Sequence, residues 1–450
     1  MNIPFYYLEK ADFSNCDFSN FLKKSEEEKL NFSFIYQNSL DPYIYWDTFK
    51  HKFKDQKTGL SDEELWYYVK YVRNTNMRKT LIRTDMREHF RWFSIPSFEK
   101  SLHDIDMFAG GLIHSFLRGN EIDQKLIRHG ILEEAIASSQ LEGAHTTRLA
   151  AKMMILEKRP PKTKDEQMIY NNYLTMCSLD DEYQGLKLSE DLLLKMHVQL
   201  TKGTLPESEQ NRMRTDEDKI YVAGMLGSEE FITHIPMAFG FLQDEIKRFI
   251  SFANDEPDDL FADSYIHPVI KAILLHFWFG YLHPFTDGNG RLARAIFYWY
   301  LLRKGYRTIM YLPISTVIKK SPAQYAKAYI YTEQDDFDLT YFLDFNVQKI
   351  IQSIKETKEF LENKDKDENV LKEALENFNL NDRQYQLIHY LSSNKDARIT
   401  VSSHSALHKI TRQTAAKDLK SLGTIELLEQ KRVGKYISYF ATRKLFEKLS

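Results

Sequence analysis

Apolar residues recur at intervals of three and four over most of this chain, and that spacing is typical of amphipathic helices. The pattern is regular from residue 96 onward. Its most apolar stretch, PVIKAILLHFWFGYL at 268–282, contains a lysine and a histidine and is too short for a membrane span. We expect a buried helix there, followed by a second helix in LARAIFYWYLLRKG that ends at Gly305. The chain is therefore predicted to have a mainly α fold.

One segment departs from the helical spacing. The stretch DKIYVAGMLGSEEFITHIP, at 218–236, contains two short runs rich in residues that favour strands, IYVAG and FITHIP. Gly224, Gly227 and Ser228 separate these runs, and such residues favour turns. The segment therefore predicts a β-hairpin.

The first 95 residues are rich in aromatic and charged side chains. Within LSDEELWYYVKYVRN, Ser61 can cap a helix, and Glu64 follows three residues later. This is the spacing of a capping box, in which each side chain accepts a hydrogen bond from the backbone N–H of the other residue. A helix is predicted to begin directly after Ser61.

Length and composition limit the class of protein. A chain of 450 residues exceeds one hydrophobic core, so two or three domains are expected. The net charge of -3 gives no general attraction to nucleic acid or acidic lipid. Cys16 and Cys177, the two cysteines, are too few for a disulfide framework or a four-ligand zinc site. The first residues do not resemble a secretory signal, so a cytoplasmic location without membrane contact is expected.

The last part of the chain has a different composition. KETKEFLENKDKDENVLKEALENF is highly charged and lacks proline and glycine, which predicts a solvated helical connector. Residues 380–450 contain 13 Lys and Arg against 6 Asp and Glu. Their order of a helix, two short helices and a two-stranded turn at Gly434 resembles a winged helix, whose recognition helix opens at Thr411. Such a domain binds DNA or docks a protein, and the sequence leaves both open.

The twelve residues HPFTDGNGRLAR, from His283 to Arg294, bring several kinds of functional side chain together. In a Gly-Asn-Gly turn the backbone N–H groups can converge, and at the start of a helix they bind anions. Arg291 and Arg294, three residues apart, are expected on one face of that helix, and guanidinium groups pair well with phosphate oxygens. Two arginines together with such a turn indicate a polyphosphate site.

Asp287 and His283 add chemistry to this site. A carboxylate beside phosphates is expected to hold Mg²⁺ between itself and them. A histidine can accept a proton near neutral pH, so His283 is a candidate general base. Each of these residues alone has an ordinary structural explanation, and it is their presence in one loop that indicates function. The combination predicts attack by a hydroxyl group on a nucleotide phosphate.

The same twelve residues resemble the active-site motif of the Fic family, His-Pro-Phe-x-(Asp/Glu)-Gly-Asn-Gly-Arg-x-x-Arg, at every fixed position. Fic proteins are mostly adenylyltransferases, which move AMP from ATP to a Tyr, Thr or Ser hydroxyl of a protein. The resemblance implies that His283 is the base, that Asp287 holds Mg²⁺ and that Phe285 anchors the loop in the core. It also implies that the phosphates are bound by Gly288, Asn289, Gly290, Arg291 and Arg294, with Arg294 on the γ-phosphate.

A second segment, EEAIASSQLEGAHTT from Glu133, resembles the inhibitory helix of Fic proteins, Ser/Thr-x-x-x-Glu-Gly/Asn. Its fixed positions are Ser138, Glu142 and Gly143. Ser138 and Glu142 are four residues apart and would share one face of a helix. The resemblance implies that Glu142 pairs with Arg294, takes the guanidinium that the γ-phosphate needs, and holds the enzyme in a low-activity state.

The predicted hairpin has the place of the flap that docks the target protein in Fic proteins by strand addition. Arg214, shortly before it, matches an arginine common in the family, and an ordinary surface arginine is the alternative. The residues expected to dock a target are Tyr221, Val222, Ile232, Thr233 and His234.

The resemblance implies a Fic-type helical core with a β-hairpin flap, and the order of elements in residues 380–450 adds a winged helix. The expected parts are a helical, aromatic leader domain at 1–95, a catalytic domain with the inhibitory helix at 96–360, the connector at 361–379 and the winged helix at 380–450. The expected partners are ATP, Mg²⁺ and a target protein with a hydroxyl side chain.

Other functions stay open at this point. One is transfer of another nucleotide or of phosphate on the same fold, and another is removal of AMP by the same site, with Glu142 orienting a water. A third is a DNA-binding regulator in which the Fic part is a sensor. The sequence also leaves open whether the chain forms a homodimer.

Overall fold

The structure is a computed structural model. It describes residues 3–27, 32–53, 59–109, 120–226, 228–256, 265–375, 378–392, 397–408, 410–433 and 436–449. Contacts divide the chain into two units, Met1–Lys355 and Glu356–Ser450. The four predicted domains are a finer division and stay a prediction.

The first elements of the chain are short helices and a two-stranded sheet. They are α1 Phe18–Glu27, α2 Phe32–Leu40, α3 Trp46–Lys52, α4 Asp62–Asn76, β1 Arg78–Arg83, β2 His89–Trp92 and α5 Pro96–Met107. The predicted capping box is confirmed, because the Glu64 N–H donates to Ser61 Oγ at 3.2 Å and the Ser61 N–H donates to Glu64 Oε2 at 2.9 Å. This box fixes the start of α4, which buries Trp66 among other aromatic rings.

The remaining α-helices that begin in the first unit follow α5 along the chain. They are α6 Asn120–Leu141, α7 Arg148–Leu156, α8 Lys164–Ser178, α9 Glu190–Thr201, α10 Phe239–Ala253, α11 Pro268–Leu282, α12 Asn289–Arg303, α13 Ile314–Ile318, α14 Pro322–Gln334 and α15 Thr340–Leu375. In the described ranges, no helix combines the length and the apolar composition that crossing a membrane needs.

The two predicted apolar helices, α11 and α12, form the centre of the first unit. In each of them 13 of the 15 residues are buried. α11 begins at Pro268, whose fixed φ suits the first helical position. α12 ends as predicted before Gly305, whose φ of 87° stops the helix. Because both helices are buried, the short loop between them is held firmly at both ends.

The predicted hairpin is present. β3 Val222–Leu226 pairs with β4 Glu229–His234 in antiparallel register, with Gly224 opposite Phe231. β3 begins at Val222, later than the start of the IYVAG run, and its register with β4 shifts between Val222 and Ala223. Gly227, predicted between the strands, lies outside the described residues.

The second unit also contains helices and a two-stranded sheet of its own. After α15 these are α16 Asp382–Ser392, α17 Val401–His408, α18 Arg412–Thr424, β5 Leu428–Val433, β6 Tyr436–Ala441 and α19 Arg443–Leu449. Leu387, Leu391, Leu419 and Leu422 are fully buried in its core. Gly434, predicted in the turn between the strands, lies outside the described residues, and the winged helix stays a prediction.

Candidate active site

The loop between α11 and α12 starts from a strained residue. His283 ends α11 in the left-handed region, with φ 46° and ψ 59°, and its N–H donates to Phe279 O at 3.1 Å. A non-glycine residue in this region costs on the order of 1–3 kcal/mol and persists only where the surrounding contacts impose it. His283 stays partly exposed. The contacts that impose this conformation therefore matter for the site.

Arg214 supplies these contacts. Its Nε donates to His283 O at 2.8 Å, and its Nη2 donates to Met237 O at 2.7 Å and to Leu282 O at 3.3 Å. Its backbone N–H donates to Pro284 O at 2.8 Å. Arg214 is only 4% exposed, so the alternative of an ordinary surface arginine is wrong. The buried guanidinium ties the segment before the flap to the end of α11.

Asn289 fixes the loop from within. Its side-chain amide donates to Phe285 O at 2.7 Å and accepts the Phe285 N–H at 2.9 Å. Phe285 is fully buried, as expected, and its ring stacks on His197 with centroids 3.7 Å apart. These bonds hold the backbone of Phe285 against the start of α12.

His197, on α9, is a residue that the sequence did not reveal as part of the site. Its Nε2 lies 2.9 Å from Asp287 O, and burial lowers the pKa of His197 to about 4. A carbonyl oxygen only accepts hydrogen bonds, so the neutral ring carries its hydrogen on Nε2 and donates it to the loop. The surrounding sequence MHVQLTKG looks like that of any buried helix, and it offers no signal for this role.

Asp287, in the loop, and Arg291, on α12, form an ion pair. Arg291 Nη2 lies 3.3 Å from Asp287 Oδ1, and its Nη1 donates to Leu200 O at 3.1 Å. Its contact with an outer phosphate stays a prediction, and the structure shows Arg291 fully buried beside the acidic residue. The reason is its position in the first turn of α12, on the side that packs against α9.

The carboxylate of Asp287 is open to solvent in part. Its side chain is 39% exposed, and its Oδ2 accepts no hydrogen bond from the described residues. Within those residues no three His, Cys, Asp or Glu side chains meet in a way that could hold a metal ion by themselves. Asp287 is therefore not part of a metal site that the described residues could complete by themselves.

The N-terminus of α12 carries a carboxylate of the same chain. Gly288, at φ 85°, leads into the helix, whose first N–H groups lack partners within the helix and are partly positive. A Cβ added to Gly290 would lie 2.2 Å from Glu142 Oε1. Glu142 thus rests directly on Gly290, where any larger residue would displace it.

Arg294 binds the same carboxylate. Its Nη2 donates to Glu142 Oε1 at 2.9 Å, and its Nε donates to Ser138 Oγ at 2.8 Å. Burial disfavours the charged guanidinium, but the carboxylate of Glu142 outweighs it and keeps the pKa of Arg294 above its ordinary value. Gly143 follows α6 at φ 92°, which suits glycine, and turns the chain directly after Glu142. The contact between Glu142 and Arg294 that the resemblance implies is present.

Buried polar side chains lie near Arg294, and the sequence pattern did not assign them to the site. Glu134 accepts the Ser315 N–H at 2.8 Å and the Ser315 hydroxyl, and burial raises the pKa of Glu134. His276 Nε2 lies 2.9 Å from the Tyr325 hydroxyl, and burial lowers the pKa of His276 to about 3. Glu134, His276 and Ser315 line one small cavity together with Arg294.

His283 carries no proton on its second nitrogen at neutral pH. Burial and the positive charge of His234 lower the pKa of His283 to about 4. Its Nδ1 lies 3.3 Å from Gly280 O, and since a carbonyl only accepts, Nδ1 carries the hydrogen. The lone pair is therefore on Nε2, where it can accept a proton.

His234, one of the expected docking residues, anchors the flap. Its Nδ1 lies 2.7 Å from Glu333 Oε2 and its Nε2 lies 2.8 Å from Tyr281 O, so both nitrogens face acceptors. Burial disfavours the charged ring, but Glu333 outweighs it and raises the pKa of His234. The residue is buried and links β4 to α11 and α14, and its part in docking a target stays a prediction. Of the others, Tyr221 is exposed, and Val222, Ile232 and Thr233 are partly buried.

Residues 187–301 match a family model described as the Fic/DOC family. They include α9, the flap, α11, the loop from His283 and most of α12. Residues 187–301 form a Fic domain. The Fic domain supplies His283, Asp287 and Arg294, whereas Ser138 lies on α6 and Glu142 directly after it, both before the domain in the chain.

Curated relatives of the Fic domain are named as adenylyltransferases. Over 219 residues the chain is 24% identical to protein adenylyltransferase fic-1 of Caenorhabditis elegans. The matched residues make up 48% of this chain and 39% of that protein. Over 127 residues it is 30% identical to protein adenylyltransferase Fic of Drosophila virilis, covering 28% of this chain and 23% of that protein. The chain thus matches less than half of the length of these two relatives.

Solved structures of Fic proteins are also similar. A Fic family protein from Desulfovibrio desulfuricans G20 has a TM-score of 0.46 and 19% identity, covering 76% of this chain and 96% of that one. The Fic-1 fragment from C. elegans has a TM-score of 0.44 and 17% identity, covering 59% of this chain and 73% of that one.

Proposed function

We propose that this chain transfers AMP from ATP to a hydroxyl group of a protein, and that Glu142 keeps the activity low. The observation that carries the proposal is the position of Glu142, whose carboxylate lies on the N-terminus of α12 and bonds to Arg294. It marks an anion site in the same loop as the neutral His283. A base beside a phosphate site is the arrangement that nucleotidyl transfer to a hydroxyl needs. The names of the relatives support AMP as the group transferred.

The proposed reaction is one proton transfer with one substitution at phosphorus. Nε2 of His283 takes the proton of the target hydroxyl, and the hydroxyl oxygen forms a bond to the α-phosphorus of ATP. The bond from that phosphorus to the oxygen bridging to the β-phosphate breaks, and pyrophosphate leaves. The first N–H groups of α12 and the guanidinium of Arg294 stabilise the negative charge of the phosphates.

Asp287 fits a magnesium ion that binds together with the nucleotide. Its partly exposed carboxylate provides one ligand, and Mg²⁺ in such sites takes its other ligands from phosphates and water. When bound, the ion would neutralise part of the phosphate charge. Arg291 and the ring of His197 hold Asp287 in place, the first through its carboxylate and the second through its carbonyl.

Regulation by Glu142 follows from competition for Arg294. The Glu142 carboxylate takes the Nη2 of Arg294 and covers Gly290, so the outer phosphate of ATP cannot occupy the same place. ATP would then bind with its α-phosphorus out of line for attack, and small errors in position slow such reactions strongly. Release of Glu142 is proposed to switch the site on.

Exposed apolar side chains around the flap support it as the place where a target protein docks. Tyr221, Met225 and Ile235 are 48%, 57% and 61% exposed. Apolar groups that cluster on a surface commonly mark a protein contact. Val222, Ile232 and Thr233 belong to the strands of the same flap.

Mass spectrometry tests the proposed reaction. The parent chain, Glu142→Gly and His283→Ala are incubated with ATP and Mg²⁺, and their intact masses are compared. We expect an adduct of the mass of AMP on Glu142→Gly, little on the parent chain and none on His283→Ala. An adduct of phosphate mass would instead support the alternative phosphate transfer, and the absence of any adduct, also on an added target, would contradict both.

For the second unit we propose DNA binding through a winged helix. α18 presents Arg412, Gln413, Lys417 and Lys420 to solvent, and residues 380–450 contain 13 Lys and Arg against 6 Asp and Glu. Exposed cations along one helix can pair with the phosphates of a duplex. In a filter-binding titration of the whole chain, the affinity should fall steeply with salt and with Lys417→Gln and Lys420→Gln combined. An affinity that does not change with salt concentration would exclude DNA binding through these cations.

A further inference from the structure

Residues 4–8 of the chain lie along the edge of β4 that faces away from β3. β4 pairs with β3 on one side, and on its other side Ile232 pairs with Phe5 in a parallel bridge. The Ile232 N–H donates to Pro4 O at 2.8 Å, and the Tyr6 N–H donates to Ile232 O at 2.9 Å. Both main-chain groups of Ile232 that point away from β3 are therefore used by this segment.

Gln334, at the end of α14, continues this edge beyond the strand. Its Nε2 donates to Tyr6 O at 2.8 Å, and its Oε1 accepts the Leu8 N–H at 2.9 Å. A neighbouring strand would offer the same pair, one donor and one acceptor, to alternate residues of an extended segment. The side-chain amide of Gln334 thus makes the two hydrogen bonds that a main-chain peptide group of a neighbouring strand would make. With Ile232 it forms a strip that makes four hydrogen bonds to the main chain of residues 4–8.

The strip binds the main chain of residues 4–8 more than their side chains. Tyr7 is 77% exposed, whereas Leu8 is buried and the Tyr6 ring meets Phe231 edge to face at 5.4 Å. Strand addition takes its affinity from main-chain bonds and its preference from a few side-chain contacts. Many extended segments with an aromatic and an aliphatic residue two positions apart would fit the same strip.

The strip is joined to the active-site loop through neighbouring residues. His234, two residues after Ile232, bonds to Tyr281 O, and Tyr281 lies two residues before His283. Glu333, next to Gln334, bonds to the other nitrogen of the same ring. An occupant of the strip therefore lies on elements that also fix the end of α11, where the catalytic loop begins.

We propose that Ile232 and Gln334 form a docking strip for extended peptides, that residues 4–8 are its resident occupant, and that an extended segment of the target protein displaces them. A tethered occupant competes at an effective concentration on the order of millimolar, so it keeps weakly matched segments out. Only the identity of the displacing segment rests on the proposed function. The strip itself rests on the four hydrogen bonds.

A binding measurement tests the strip without any catalysis. A fluorescent peptide with the sequence of residues 2–11 is titrated with the full chain and with a chain that lacks residues 1–11, and the anisotropy is read. The shortened chain should bind the peptide about tenfold or more tightly than the full chain does, because its strip is empty. Equal affinities would overturn the resident occupant.

Two matched pairs show whether the proposed bonds are the ones that bind. N-methylation at Tyr6 of the peptide removes the donor to Ile232 and keeps the ring, and it should weaken binding about tenfold. N-methylation at Tyr7 is the control, because the Tyr7 N–H has no partner in the described part of the chain. Gln334→Ala in the shortened chain should weaken binding, whereas Gln324→Ala, exposed on the same helix, should not. Equal effects within either pair would overturn the strip.

Two variants of the full chain test the same displacement without relying on the folding of the shortened chain. Tyr6→Pro removes the N–H donor, and Tyr6→Ala keeps it while losing the same ring contact. The proline variant should admit the free peptide about tenfold more readily than the alanine variant. Equal affinities of the two would contradict displacement of the segment.

Labelling then tests the target separately. In the Glu142→Gly background, deletion of residues 1–11 should raise the transfer of AMP to an added protein substrate, and the free peptide should reverse the rise. If the peptide binds as expected but labelling does not respond, displacement by a target is overturned. If neither chain labels, while the peptide binds, the proposed transfer has failed and the strip stands.

Discussion

Glu142 is the residue on which the proposed regulation depends. In Glu142→Gly, Arg294 loses its carboxylate partner, so self-labelling with ATP should rise on the order of ten- to hundredfold, the worth of one charge-assisted hydrogen bond. Glu142→Gln keeps the length of the side chain without its charge and should give a smaller rise. Glu133→Gln, on the preceding helix α6, is the control, because Glu133 pairs with Arg148. Equal labelling of the parent chain and Glu142→Gly would remove Glu142 from regulation.

The pH dependence of transfer should report the state of His283. Because burial and the charge of His234 lower its pKa to about 4, His283 is neutral and able to accept a proton throughout the neutral range. Glu142 acts in the opposite direction and raises this pKa, so Glu142→Gly should move it no higher. The labelling rate of Glu142→Gly should stay level on acidification and fall only as the pH approaches 4. A midpoint at the value of a free histidine, about 6.5, would contradict the environment described here.

At the scale of elements, Arg214 holds the end of α11 to the segment before the flap. A lysine cannot reproduce its three side-chain hydrogen bonds, so Arg214→Lys should lower the free energy of unfolding by about 2–4 kcal/mol, since a lost bond to a charged group costs about 1.5–3 kcal/mol. It should also reduce labelling, because His283 is no longer held at positive φ. Arg212→Lys, at a more exposed residue that pairs with Asp218, is the control. Urea unfolding and labelling are measured for both variants. Equal stability of the two would contradict the role of Arg214 in holding the end of α11.

The anchor of the flap should depend on pH. The pKa of His234 is raised in the folded chain, so its pairing with Glu333 contributes fully below the pKa of an unfolded histidine and is lost as the pH rises through the folded value. The difference in unfolding free energy between the parent chain and His234→Gln should therefore be largest in mild acid and shrink toward alkaline pH. Urea unfolding at several pH values measures it. A difference that grows with pH would show that the ring is neutral in the fold.

At the scale of the whole molecule, the two units have separate cores. Leu419 is fully buried in the core of the second unit, and Leu419→Ala should destabilise that unit by about 2–4 kcal/mol, the usual cost of such a cavity. Labelling by the Glu142→Gly background should not change, because the site lies within Met1–Lys355. Calorimetry should show one transition shifted and another unchanged. A loss of labelling in step with the shifted transition would contradict independent units.

Some of the site could be predicted from the sequence because its residues are close together in the chain. His283, Asp287 and Arg294 lie within twelve residues, and the spacing of Ser138 and Glu142 matches a helix face. The contacts that Arg291 and His234 make were not predictable in this way. Both are buried by contacts with distant segments, Arg291 with Leu200 and His234 with Glu333.

The sequence by itself determined the local features of this protein. The capping box at Ser61, the hairpin, the two apolar helices and the loop between them follow from residues a few positions apart, because caps, turns and side-chain periodicity act over that range. The tertiary structure alone decided that Arg214 holds His283, that His197 supports Asp287 and that Gln334 meets residues 4–8. Each of these contacts joins a polar group to another far along the chain, and which groups become buried together depends on how the helices pack, which no local pattern specifies.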